Sequence, residues 1–199
     1  MSTLLKPFSV QEKLLEKGMT VFTPDEFTRL FHATAYQRKY FLETYTQQGL
    51  LVRFKRGLYG VKTSLPDEQT LANRLYEPSY ISFEYALAWY NMMPEAVYAI
   101  TSTTTKPTRR FTVLGKTYIY HTVKRDAYTG YTPVSDANRL ILMADREKAL
   151  VDYLYLVSLG QKTLNDRLSV QEIDTKKLRA YAKLFRRPIL EELIRKVAP

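Results

Sequence analysis

Two helix-start signals stand eleven residues apart, at Thr23-Pro24-Asp25-Glu26 and Thr34-Ala35-Tyr36-Gln37. This spacing constrains the chain more than any other feature. In each signal a threonine hydroxyl can accept from a free backbone N–H three residues on, while Glu26 or Gln37 reaches back to the threonine N–H. Pro24 takes the first helical position, where a missing N–H costs nothing. Phe27, Leu30 and Phe31 mark the buried face of the first helix. Only His32 and Ala33 separate it from the next cap. Two helices joined by so short a turn must cross steeply, which is the helix-turn-helix layout. The second helix runs to about Gln48, with Phe41, Leu42 and Tyr45 inward and Gly49 as its stop.

The flanking segments extend the pattern. Ser9-Val10-Gln11-Glu12 reads as another capping box, opening a helix that turns Val10, Leu14 and Leu15 inward and stops near Gly18. After Gly49, "LLVRFKRGLYGV" alternates Val52 and Phe54 with Arg53 and Lys55, turns at Arg56-Gly57 and returns through Val61. Three helices followed by a hairpin predict a winged helix. "TSLPDEQTLANRLYEP" then changes the texture, with a short helical stretch between Pro66 and Pro78. The expected division is residues 1–64 and 65–199.

The second region reads as mixed. Ser82 is expected to cap a helix to about Asn91. "AVYAITSTTT" reads as a strand, "RRFTVLGKTYIYHTV" as a hairpin across Gly115-Lys116, and "NRLILMA" as another strand. Asp145 caps a helix whose buried stripe is Leu150, Tyr153, Leu154 and Val157. A helix from the Asp174 cap buries Leu178, Tyr181, Ala182 and Phe185, and the last starts at Pro188. The fold class is α+β: an N-terminal winged helix-turn-helix, then a mixed α/β domain ending in helices.

The charge is basic, 30 Lys+Arg against 20 Asp+Glu in 199 residues. A net +10 points to a polyanionic partner, nucleic acid before membrane. Residues 1–62 hold 10 cations and 5 anions, and the tail from Lys176 holds 8 and 2. No apolar run reaches the roughly 18 residues of a membrane span, and the N-terminal stretch has no signal-peptide core. The absence of cysteine removes disulfides and thiolate zinc sites and fits a cytoplasmic setting.

The candidate DNA-binding residues are Thr34, Ala35, Tyr36, Gln37, Arg38, Lys39 and Tyr40, because the start of a recognition helix meets base edges in the major groove. Gln37 suits adenine, Arg38 guanine, and Thr34 or Ala35 a thymine methyl. Tyr36 and Tyr40 suit phosphates or sugars. In the hairpin, Arg53, Lys55 and Arg56 suit the DNA backbone or minor groove. The competing reading is a protein-docking module with a solvated charged hairpin. A second basic patch is expected at Lys176, Lys177, Arg179, Lys183, Arg186 and Arg187, against the alternative of a solvated helix face.

Enzyme signals are poor. His32 and His121 are the only histidines and fall in different domains, the first a turn residue and the second a strand-face residue. No P-loop, nucleophile elbow or dinucleotide fingerprint occurs. Asp174-Thr175-Lys176 matches an acid-x-lysine nuclease pattern, but Asp174 already serves as a cap. No catalytic residue, metal or cofactor is expected.

Three stretches in order resemble one bacterial family: the N-terminal segment ending "GLLVRFKRGLYGV", then "YISFEYALAWYNMMPE", then "ADREKALVDYLYL", which is similar to an A-x-x-EKAL-x-D-x-x-Y helix. The chain resembles the AbiEi-type antitoxins and transcriptional regulators of type IV toxin–antitoxin systems over most of residues 20–160. The resemblance implies that the winged helix binds double-stranded DNA at repeats in its own promoter and represses the operon. It implies that the second domain counters a nucleotidyltransferase-like toxin without a stable complex. Two other readings stay open: a solitary winged-helix regulator with no toxin partner, and a nucleic-acid-processing enzyme.

Overall fold

The computed structural model describes residues 4–136 and 139–198. The chain divides into two compact units, Met1–Asp67 and Glu68–Pro199, and is α+β throughout.

In the first unit, α1 (Pro7–Glu16) leads to β1 (Val21–Phe22), α2 (Pro24–Phe31), α3 (Ala35–Gln47) and the hairpin β2 (Leu51–Lys55) and β3 (Leu58–Val61). The expected Ser9 cap is overturned. The helix begins three residues earlier, with Lys6 at the N-cap position and no side-chain cap. Pro7 at the first helical position presets the helical φ and has no N–H to satisfy. Leu15 also departs from expectation, being exposed while Val10 and Leu14 are buried.

Both threonine boxes form as reciprocal pairs. Thr23 Oγ1 accepts from Glu26 N at 3.2 Å, and Glu26 Oε2 accepts from Thr23 N at 2.7 Å. His32 ends α2 in the left-handed region, φ 50°, and Ala33 is buried. The β1 strand is too short for the sequence pattern to show, yet it closes a three-stranded antiparallel sheet in the order β1-β3-β2. The ladder shifts register between Arg53 and Lys55, so the expected alternation of Val52 and Phe54 with Arg53 and Lys55 breaks. Phe54 is buried and Val52 only partly so. The Phe54 ring covers Gly60, where a Cβ would lie 2.7 Å from the ring and 2.6 Å from Thr20 O. The core is apolar: Val10, Leu14, Phe22, Phe27, Phe41, Leu42, Leu51 and Val61, with Phe27 5.3 Å from Phe41 and 5.9 Å from Phe22, ring centre to ring centre.

The second unit runs α4 (Glu68–Leu75), β4 (Ser79–Ile81), α5 (Phe83–Trp89), β5 (Ile100–Thr104), β6 (Arg109–Val113), β7 (Lys116–Thr122), β8 (Tyr131–Asp136), β9 (Arg139–Ala144), α6 (Arg146–Ser158), α7 (Thr175–Leu184) and α8 (Pro188–Val197). The strands form one mixed sheet in the order β6-β7-β5-β4-β9-β8. The β5–β7 and β4–β9 pairs are parallel, so the chain crosses over twice.

Several expectations are corrected. The strand expected from Ala96 starts at Ile100. The β6–β7 turn lies at Leu114-Gly115 rather than Gly115-Lys116, with φ 50° and 77°, as a tight two-residue hairpin requires. Ser82 stands before α5, but its hydroxyl donates to Asp152 at 2.8 Å. Thr101 on β5 caps α5 instead, its Oγ1 accepting from Tyr85 N at 3.2 Å and donating to Ser82 O at 2.7 Å. The Asp145 and Asp174 caps form as expected. The α6 helix, however, has no single buried stripe. It packs against α5, α7, α8 and β9 and is buried from Glu147 through Leu154.

Candidate nucleic-acid interface

At the start of α3 the capping box fixes two of the candidate residues. Thr34 Oγ1 accepts from Gln37 N at 3.2 Å, and Gln37 Oε1 accepts from Thr34 N at 2.9 Å. Reading an adenine edge therefore draws on the second lone pair of the same Gln37 oxygen. Tyr36 and Tyr40, one turn apart, stack with ring centres 6.3 Å apart and planes at 21°. Tyr36 is 69% exposed, and Ala35 and Lys39 are exposed beside it. Arg38 turns toward α2, with Nη1 3.4 Å from Asp25 Oδ1 and 3.3 Å from Thr28 Oγ1. Asp25 is largely exposed, so water weakens this pair and a phosphate or guanine can compete for the guanidinium.

The hairpin cations occupy a different part of the unit. Gly57 turns the chain at φ 78°, with Lys55 and Arg56 on its N-terminal side. Arg53 donates from Nε to Lys55 O at 3.4 Å. It lines a groove of about 160 Å³ with Leu42, Glu43, Thr46, Gln47 and Tyr59. Arg53 thus stands beside the later turns of α3, and Gln37 to Thr46 spans about 13 Å along the axis at roughly 1.5 Å per residue. The structure brings Thr34 to Gln37 and Tyr36 to Tyr40, and it sets Arg53 against the other end of the same helix.

The six-cation patch on the last helices is divided. Lys177 lies 3.0 Å from Asp145 Oδ2 and 3.1 Å from Glu147 Oε2. Burial pulls its ammonium down, but the hydrogen bonds to Asp145 and Glu147 outweigh that and hold it above the usual lysine value. Arg186 pairs with Asp126 at 3.0 Å. Arg187 donates to Ser158 Oγ at 2.8 Å and to Ser158 O at 2.6 Å. Lys176, Arg179 and Lys183 stay exposed. Asp174 Oδ1 accepts from Lys176 N at 2.9 Å and Lys177 N at 3.1 Å, which is the N-cap of α7.

Sequence reasoning missed the buried polar centre of the second unit. Lys148 and Asp152, one turn apart on α6, form an ion pair with no exposed side-chain surface on either partner. Asp152 Oδ2 accepts from Tyr80 Oη at 3.1 Å, Ser82 Oγ at 2.8 Å and Thr103 Oγ1 at 3.0 Å. The Lys148 ammonium lies 5.0 Å from the Phe185 ring centre and 5.7 Å from that of Tyr80. Burial lowers the Lys148 pKa, and the charge of Asp152 opposes it. Burial, then the same carboxylate, raises the Tyr80 phenol well above its ordinary value. The visible signal was a Lys and an Asp four apart among "EKALVD", but nothing local says that both are buried.

His121 on β7 packs edge-on to Phe83, 5.0 Å between ring centres. Burial first, then Lys162, lowers its pKa to about 4. Its Nε2 is buried without a partner, and Lys162 pairs with the neighbouring Glu84. Among the described residues there is no group of three or more His, Asp or Glu able to hold a metal ion, and no helix long and apolar enough to cross a membrane.

Compared with known protein families and with curated proteins, the chain matches no family model and no curated sequence.

Proposed function

We propose that the protein is a DNA-binding autorepressor and antitoxin of a type IV toxin–antitoxin system, acting in the cytoplasm by binding and not by turnover. The first unit is the DNA-binding part. The observation that carries this reading is the element order α1-β1-α2-α3-β2-β3 with its sheet order β1-β3-β2. Such an order supports a winged-helix reading, with α3 as the recognition helix and the β2–β3 hairpin as the wing. The exposed Tyr36, Lys39 and Tyr40, the loosely held Arg38 and the wing residues Arg53, Lys55 and Arg56 supply cations and phenols at both contact points. The antitoxin role rests on the resemblance of "YISFEYALAWYNMMPE" and "ADREKALVDYLYL" to that family.

Promoter DNA carrying the upstream repeats tests the first part. Affinity should fall steeply with salt, because each phosphate neutralised releases a counterion, with a log–log slope of about −0.9 per contact. An anisotropy titration that is flat from low to physiological salt removes the DNA reading. Co-expression with a nucleotidyltransferase-like product of the adjacent reading frame tests the second part. Growth restored by the full chain supports the antitoxin role. Repression of the promoter without rescue of growth leaves the solitary regulator.

A further inference from the structure

Between Glu95 and Asp126 the chain holds six cations and no carboxylate. Three of them, Lys106, Arg109 and Arg110, lie on the β5–β6 loop and on β6, the last strand at one side of the sheet, and all three are exposed. Elsewhere in this unit Lys116, Arg146, Arg167 and Arg186 each reach a carboxylate. Lys106 and Arg109 sit instead over aromatic rings. The Lys106 ammonium lies 5.5 Å from the Tyr76 ring centre. The Arg109 guanidinium lies 5.8 Å from that ring and 5.1 Å from Phe111. Tyr76 and Phe111 are 5.8 Å apart and only partly buried, and the buried Tyr120 braces both from below at 5.3 and 5.7 Å.

The loop that carries these cations is pinned at each step. Thr104 Oγ1 accepts from Lys106 N at 3.2 Å and donates to Pro78 O at 2.8 Å. The Tyr76 hydroxyl donates to Pro107 O at 3.1 Å. Thr122 donates from its hydroxyl to Lys106 O at 2.7 Å and from its backbone N to Thr108 Oγ1 at 3.1 Å. Cations that only guard an open sheet edge against pairing with another chain need neither a ring platform nor an anchored loop.

We infer that this edge binds single-stranded nucleic acid. Unpaired bases stack on Tyr76, Phe111 and the Arg109 guanidinium plane, while Lys106 meets the phosphates; Arg110 alternates to the opposite face of β6, beside His121, and takes no part. Stacking on rings and guanidinium planes within a positive groove is how proteins hold single strands without reading sequence. A duplex keeps its base faces inside the stack and gains nothing from this platform, so the site is distinct in ligand from the α3 surface.

The test uses the full chain carrying Arg53→Ala and Arg56→Ala, which removes the hairpin cations from the measurement. Labelled twelve-nucleotide oligo-U and oligo-dT are titrated by fluorescence anisotropy. Adding Lys106→Gln and Arg109→Gln should weaken binding by about tenfold or more. It should also flatten the salt dependence by about 0.7 in log–log slope, for the one phosphate met by Lys106. Equal loss for both strands marks the backbone and bases as the ligand, and loss for oligo-U alone marks RNA through its 2′-hydroxyls. Unchanged affinity, with new self-association seen by light scattering, overturns the inference in favour of edge guarding. A second measurement avoids the variants: a photoactivatable oligo-U is crosslinked to the unaltered chain. Crosslinks at Tyr76 or Phe111 are expected, and crosslinks confined to residues 1–67 overturn the inference.

Discussion

The interior of Met1–Asp67 is apolar, built on Phe22, Phe27, Phe41 and the aliphatic side chains around them. In Glu68–Pro199 the interior is centred on the Lys148–Asp152 pair, with three hydroxyls turned onto one carboxylate oxygen. Among the described residues, the buried polar and charged residues all belong to the second unit, from Ser79 on β4 to Ser158 on α6. The difference lies in how each interior is specified. Apolar packing is set by volume and shape and accepts volume-conserving swaps at modest cost. A buried ion pair is set by bonding geometry and tolerates the loss of neither partner.

The largest expected effect breaks this contrast where it is sharpest. Lys148→Met leaves Asp152 buried without its counter-charge, and Asp152→Leu leaves a buried ammonium and three hydroxyls without an acceptor. Each should destabilise the second unit by about 3–5 kcal/mol. The double variant should recover most of that loss, because replacing both ions by apolar groups of similar size is often nearly neutral. Trp89 is the only tryptophan and lies on α5, so urea denaturation followed by its fluorescence reports this unit alone. A double variant as unstable as the sum of the two singles would mean that the hydroxyl shell, and not the ion pair, holds the centre.

In the first unit the sharpest constraint is steric. Gly60→Ala places a Cβ against backbone Thr20 O and the Phe54 ring. Backbone cannot yield cheaply, so a loss of about 1–3 kcal/mol is expected. Hydrogen exchange of the α3 amides should accelerate while Trp89 fluorescence stays unchanged. Exchange that is unaffected removes the close β1–β3 approach as a requirement of this unit.

The same contrast explains what could be read before folding. Thr23, Thr34, Asp145 and Asp174 were legible because a cap acts over three residues and its signal is local. The Ser82 cap was misread because its hydroxyl answers to Asp152, seventy residues away. The β1 and β4 strands are two and three residues long and buried throughout, so neither shows an alternating pattern. The α3 start and the hairpin could be found because both carry cations beside turn signals. The charge of residues 106–110 was visible, but its ring platform needs Tyr76, brought there by the fold, and the six-cation tail could not be divided without knowing that Asp145, Glu147 and Asp126 face it.

The smaller effects test electrostatics and caps. Thr23→Ala removes the acceptor for Glu26 N and should cost about 1 kcal/mol, read as faster exchange in α2 alone. His121 offers a pH test of the second unit. Its pKa is about 4 when folded and about 6.5 when unfolded. Between those values the unfolded chain takes up a proton that the folded chain refuses. Stability is therefore full above about pH 6.5, falls as pH drops toward 4, and loses nothing more from this group below that. Because His121 is only partly buried, solvent reduces the loss to about 1–2 kcal/mol. His121→Phe keeps the edge contact with Phe83 and cannot be protonated. Urea midpoints read by Trp89 should then converge for the two proteins above pH 6.5 and separate toward pH 4, with the variant the more stable. Parallel curves over the whole range would assign the acid sensitivity of this unit to its carboxylates instead.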